Sequence, residues 1–95
     1  MPSGRRKPLG AREVVAVDLA SEAARQALYE TIRERWGPVE VLVNNAGLGW
    51  YGYGADMAWP VARRIVEVNV DALIHLTLLV LPGMRARGHG HIINV

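Results

Sequence analysis

Two asparagines close an apolar run, Glu40-Val41-Leu42-Val43-Asn44-Asn45, and lead through Ala46 into Gly47-Leu48-Gly49-Trp50-Tyr51-Gly52. The glycines spell G-x-G-x-x-G, which can wrap a pyrophosphate when a strand precedes it and a helix opens directly after it. Such a turn also places an acid about twenty positions on, at the end of the next strand. Asp71 lies at roughly that distance but falls inside a helical pattern, and Tyr53-Gly54-Ala55-Asp56-Met57 delays the helix start. The glycine match is therefore read as incidental, and Trp50, Tyr51 and Tyr53 as part of a mobile, substrate-facing loop. The asparagines suit chemistry better. Paired amides at a strand end can each donate and accept, tying the strand to neighbouring backbone, while Ala46 and Gly47 leave room for a ligand's ribose. The same four residues serve equally as a plain strand stop.

Other polar residues carry less. His75 lies on a helical pattern and His89 and His91 flank a glycine turn, with no further ligands at metal spacing, so no metal site is expected. The chain has no cysteine, which removes disulfides and thiolate metal sites and leaves the cytoplasm as the default compartment. A net charge of +2 gives no basic balance that calls for nucleic acid. Arg5-Arg6-Lys7 sits in an irregular, solvated N-terminus, residues 1–12. No secretory pattern follows those basic residues, and the longest apolar run, Ala72 to Leu81, is broken by His75 and Thr77 and too short to span a membrane.

The elements that must position these groups follow from periodicity. Glu13 to Val17 is a short, β-branched run with little alternation, as expected of a strand covered on both faces, and it ends at Asp18-Leu19. Ser21 caps a helix carrying Ala24, Ala27, Leu28, Thr31, Ile32 and Trp36 at roughly helical spacing, and Gly37-Pro38 stops it. Val39 to Val43 repeats the strand signature. A long helix starts near Pro60 and runs through Val61, Ile65, Val66, Val68, Leu73, Leu76 and Leu79. Pro82 and Gly83 should kink or weaken its last turns, and Gly88 to Gly90 end it before a third strand, His91 to Val95. Strand, helix, strand, helix, strand calls for an α/β fold with a parallel sheet and right-handed crossovers over residues 13–95. Ligands of such sheets bind past the carboxyl ends of the strands, so Asp18, the Asn44 to Gly47 turn and Val95 should share one rim.

From about Glu13 onward the chain resembles the short-chain dehydrogenase/reductase family. The resemblance is carried by Asp18-Leu19, Asn44-Asn45-Ala46-Gly47, Val68-Asn69-Val70, Leu81-Pro82-Gly83-Met84 and Gly90-His91-Ile92-Ile93-Asn94-Val95, in that order and spacing. It implies a Rossmann-like sheet and a bound NAD or NADP in the full-length enzyme. It further implies hydride transfer between nicotinamide and an alcohol or carbonyl substrate, a small molecule. By the same resemblance Asp18 hydrogen-bonds the adenine beside the Leu19 backbone, and Asn45 with the Ala46-Gly47 backbone contacts the ribose side. Asn44 ties the strand. Asn69 is similar to the catalytic helix asparagine that holds a water in the proton relay and locally disrupts its helix.

The family's remaining parts are not among these residues. Catalysis there uses a Tyr-x-x-x-Lys pair and a serine, yet Tyr29 is followed four positions on by Arg33, Tyr51 by Ala55 and Tyr53 by Met57. The N-terminal glycine-rich turn is likewise not matched. The chain is thus expected to be the middle of an enzyme, an incomplete Rossmann-like sheet that is itself inactive and marginally stable. Its rival is a non-catalytic α/β scaffold or interaction protein. In the family's strand order, 3-2-1-4-5, these residues supply strands 3, 4 and 5, so the first would be parted from the second by two strands. The long helix, residues 61–87, is apolar on two faces: Ile65, Val68, Ala72, Leu76 and Leu79 trace one, and Val66, Val70, Leu73, Thr77 and Val80 the other. One face covers the sheet, and the other is expected to meet a second copy, making a homo-oligomer.

Overall fold

The computed structural model describes residues 12–49, 52 and 54–95. The expectations for the basic N-terminus and for Trp50, Tyr51 and Tyr53 fall outside them.

Helix α1 spans Glu22–Trp36. Its first turn is closed by the Ser21 hydroxyl, which accepts from the Ala24 N–H at 3.1 Å and satisfies one of the helix's orphan donors, a bond of about 1 kcal/mol in such positions. Gly37, at φ 86°, ends the helix in a conformation that favours glycine, and its N–H donates to the Arg33 carbonyl. Strand β1, Val41–Asn44, follows.

Helix α2, Trp59–Val66, carries Pro60 in its first turn, where a missing N–H costs nothing. It runs without a break into a π turn at Glu67–Asp71 and then into helix α3, Ala72–Arg87. Leu78, whose carbonyl faces the Pro82 ring, lies on the exposed side, and α3 continues through Pro82 to Arg87. Gly88, at φ 78°, supplies the left-handed cap, its N–H donating to the carbonyls of Met84 and Arg85. Strand β2, His91–Asn94, lies parallel to β1 with Val41 opposite His91 and Asn44 opposite Asn94.

Three expectations are corrected here. Glu13 to Val17 forms no strand: Val14 is 95% exposed, and a gap of about 680 Å³ lined by Val15, Leu28, Ile32, Trp36 and Val41 lies between this segment and β1. No strand ladder includes this segment, and among the described residues the sheet has two strands, β1 and β2. The strands are also covered on one face rather than two. Leu42 and Ile92 are partly buried, with α3 packed against β1, while Val41, Val43 and Ile93 are about half exposed on the open side.

The long helix, finally, does not present the two faces expected. Its buried stripe runs Val68, Ala72, Val80 and Met84, with Leu76 partly buried between, and so begins on one expected face and ends on the other. Steps of four trace a ridge inclined to the helix axis, and α1 and β1 pack against α3, which carries most of it. The exposed apolar stripe is Val66, Val70, Ile74, Leu78 and Leu81. Because α2, the π turn and α3 are continuous, the apolar helix is Trp59–Arg87, longer than the Ala72 to Leu81 run, and by length and composition it could cross a bilayer. The central helix of a doubly wound sheet has the same composition, since it too is apolar on more than one side.

Candidate active site

The cleft at the carboxyl end of the sheet has a volume of about 240 Å³. It is floored by Val43 and Asn44 from β1 and by Val95 just past β2. The Asn45-Ala46-Gly47 turn, Val68 and Asn69 in the π turn, and Leu19 from the far side wall it. A wider, more open recess of about 570 Å³ continues from it past Asp18, Leu48 and Arg64. One rim thus collects Asp18, Leu19, Asn45, Ala46, Gly47 and Asn69.

Asn44 ties the sheet together at this rim. Its Nδ2 donates to the Asn94 Oδ1 at 2.9 Å and to the Thr77 Oγ1 at 3.3 Å, joining β1 to β2 and to α3. The Asn44 carbonyl accepts from the Val95 N–H at 3.0 Å, which carries the strand pairing one residue further.

Asn69 binds the turn after β1 by both ends of its amide. Its Oδ1 accepts from the Leu48 N–H at 2.8 Å, and its Nδ2 donates to the Leu48 carbonyl at 2.9 Å. The pair of bonds copies a strand ladder with a side chain. A Cβ built on Gly47 would lie 3.4 Å from the same Oδ1, in ordinary contact, so the turn lies directly against the amide. The π turn supplies the geometry: the Ala72 N–H reaches back to Glu67, one residue further than in an α-helix, and the bulge swells the helix beneath Asn69. A helix interior offers Asn little by propensity, and these two tertiary bonds offset that cost.

Asp18 is anchored at the opposite wall. Its Oδ1 accepts from the Ala20 N–H at 3.0 Å and from the Arg64 Nη2 at 3.2 Å, and its carbonyl accepts from the Ser21 N–H. Both charged groups of the Asp18–Arg64 pair are more than half exposed, so the pair fixes direction more than it stabilises. Arg64 was not anticipated. The bond spans 46 residues and joins α2 to the segment before α1, a distance over which sequence spacing carries no signal.

The G-x-G-x-x-G at 47–52 opens no helix. A single 3₁₀ turn, Gly54–Asp56, follows, and α2 begins only at Trp59 with Ala58 as its cap. Leu48, between the first two glycines of the motif, is the residue that Asn69 clamps. The histidines likewise stand apart: His89 pairs with Glu40 at 3.1 Å and His75 with Arg25, and no metal-capable cluster of His, Cys, Asp and Glu occurs among the described residues.

Residues 7–95 match the family model described as short chain dehydrogenase. The chain belongs to the short-chain dehydrogenase family. It is 34% identical to the NADP-dependent 3-hydroxy acid dehydrogenase YdfG of Escherichia coli K12, over 86% of this chain and 34% of the relative. It is 37% identical to dehydrogenase/reductase SDR family member 7B of Mus musculus, over 86% of this chain and 25% of that protein. Among solved structures, a metagenomic short-chain oxidoreductase in complex with NADP superimposes with a TM-score of 0.81 at 36% identity, over 86% of this chain and 37% of the other. L-sorbose reductase from Gluconobacter frateurii, complexed with NADPH and L-sorbose, gives 0.77 at 39% identity, over 84% of this chain and 30% of that one. The chain therefore spans about a third or less of the length of these relatives.

Proposed function

We propose that this chain is the central part of an NAD(P)-dependent short-chain oxidoreductase, and that its cleft holds the adenosine half of the dinucleotide. The single observation that carries this reading is the convergence of Asp18-Leu19, Asn45-Ala46-Gly47 and Asn69 on one rim past the carboxyl ends of β1 and β2. Fit is supported by the lining: Ala46 and Gly47 leave the wall nearly bare of side chain, and Asp18, held by Arg64 and Ala20, offers an acceptor for an exocyclic amine. The relatives named for NADP favour that cofactor. Bound there, the cofactor supplies hydride to or from a small alcohol or carbonyl substrate. Asn69, in the π turn beside the cleft, is assigned to the proton relay. A cytoplasmic setting accords with a chain free of cysteine.

The test is an amide-resolved NMR titration of the 95-residue chain with NADP. Shifts should concentrate at Asp18, Leu19 and Asn45 to Gly47. The dissociation constant should be weaker than about 100 μM, because among the described residues no glycine turn runs into a helix N-terminus to take the phosphates. Shifts scattered over the surface, or none at millimolar NADP, would remove the reading. A constant near 1 μM would show that these residues alone make the full site, contrary to the division proposed.

The same reading includes self-association through the 61–87 helix. Val66, Val70, Ile74, Leu78 and Leu81 form an uncovered apolar stripe, and a twofold pairing of such stripes is self-complementary. Sedimentation at micromolar concentration should give dimers or larger species, and Ile74→Glu with Leu78→Glu should raise the dissociation constant more than tenfold. A monomer boundary for the unaltered chain would overturn this.

A further inference from the structure

We propose that Arg25 and His75 form a positioning pair that holds the Leu19 wall of the cleft in place and so sets affinity for the adenosine half of the nucleotide. The inference rests on the nucleotide reading above. Arg25, on α1, is only 5% exposed. Its guanidinium forks: Nη1 donates to the Leu19 carbonyl at 2.6 Å, and Nε donates to His75 Nδ1 at 2.8 Å. Leu19, which lines both the cleft and its wider continuation, is thereby pinned to α1 and, through His75, to α3. Helix α3 also contributes Ala72 and Leu73 to the opposite side of the same cleft. One side-chain fork therefore fixes the separation of the two walls.

Two features point to positioning rather than to stability alone. Withdrawing a guanidinium from water is costly, and both of these acceptors are uncharged, so the two bonds return less than a carboxylate would. An apolar pair of similar volume would join α1 to α3 without that cost, but it could not reach the Leu19 carbonyl. The direction of the His75 bond is also specific. An imidazole that accepts at Nδ1 carries its proton on Nε2, so the ring is held as one tautomer and the fork has one geometry. A lysine in place of Arg25 carries all its donors on one terminal nitrogen, so it does not reproduce the separate Nε and Nη1 donors of the fork.

The experiment compares the 95-residue chain with Arg25→Met, His75→Leu, the two together, and Arg25→Lys. It reads three quantities: the thermal midpoint, hydrogen exchange at the Ala20 and Ser21 amides, and the NADP titration at Asp18 and Leu19. Arg25→Met and His75→Leu should each lower the midpoint. The double variant should recover most of that loss by restoring an apolar contact, yet show at least tenfold faster exchange at Ala20 and Ser21 and at least tenfold weaker NADP binding. Arg25→Lys should show the same two changes, and it decides the matter should the apolar pair fail to fold. A double or lysine variant with unaltered exchange and NADP response overturns the proposal. Should NADP leave Asp18 and Leu19 unmoved in the unaltered chain while the exchange changes persist, the nucleotide reading itself has failed, and the assignment to affinity falls with it.

Discussion

Gly90→Ala is expected to destabilise the chain by about 3 kcal/mol, enough to unfold much of a marginal domain at room temperature. Gly90 sits between the cap of α3 and the first residue of β2 at φ 150°, a backbone conformation that a side chain strains. A Cβ there would lie 2.5 Å from Met84 Cγ, 2.7 Å from its Sδ and 2.9 Å from its Cβ. Met84 is itself 5% exposed at the base of the buried stripe, and its Cβ cannot swing aside as a chain terminus could. Either α3 or β2 must shift, and with β2 goes its register against β1. Gly88 makes the control. It too has a positive φ, 78°, in the αL region that a side chain tolerates better, and a Cβ added to it meets nothing within 4 Å, so Gly88→Ala should cost only about 1 kcal/mol for the conformation alone. Thermal or urea unfolding of the two variants side by side is decisive. Equal losses would show that the Met84 contact does not constrain the turn.

Asn69→Leu is the second large effect, and it falls on the site. Leucine nearly conserves volume while deleting the two bonds to Leu48. The turn is only partly covered, so water can replace some of what is lost, and the cost should be about 1–2 kcal/mol. The local effect should be greater than the global one: the Leu48 amide should lose its protection from exchange, and the Asn45 to Gly47 turn should no longer respond to NADP as a unit. Asn69→Asp separates the two bonds. It retains an acceptor for the Leu48 N–H but sets a carboxylate against the Leu48 carbonyl, and should fall below Asn69→Leu in stability. Unchanged Leu48 exchange in Asn69→Leu would mean that the turn is held by its own backbone.

What could be read from the sequence was local. Ser21, Gly37, Pro60 and Gly88 mark helix ends because a cap is decided by a few neighbouring residues and their dihedral angles, and α1 and the long helix begin and end within a residue or two of those marks. From α1 onward, the alternation of helix and strand was legible from period alone. It put Asp18, the Asn44 to Gly47 turn and Val95 on one rim past the strands' carboxyl ends, whereas Asn69 was indicated only by the family resemblance. Arg25 and His75 left a faint signal: an arginine in step with Leu28 and Ile32 on α1, and a histidine inside the most apolar stretch of the chain. Only the fold shows that they meet, 50 residues apart.

The tertiary structure decided what depends on a partner. Glu13 to Val17 has the composition of a buried strand, but a strand exists only where another backbone lies at ladder distance, and here a gap adjoins it. The long helix has apolar residues on every side, so composition could not choose its buried stripe. The choice fell to the packing of α1 and β1 on α3, and the buried stripe takes in Val68, Ala72, Val80 and Met84 and leaves Ile74 and Leu78 outside. Side chains bonded across tens of residues, Asn69 to Leu48 and Arg64 to Asp18, are the same case, because their geometry is set by packing between elements and no property of either residue encodes it.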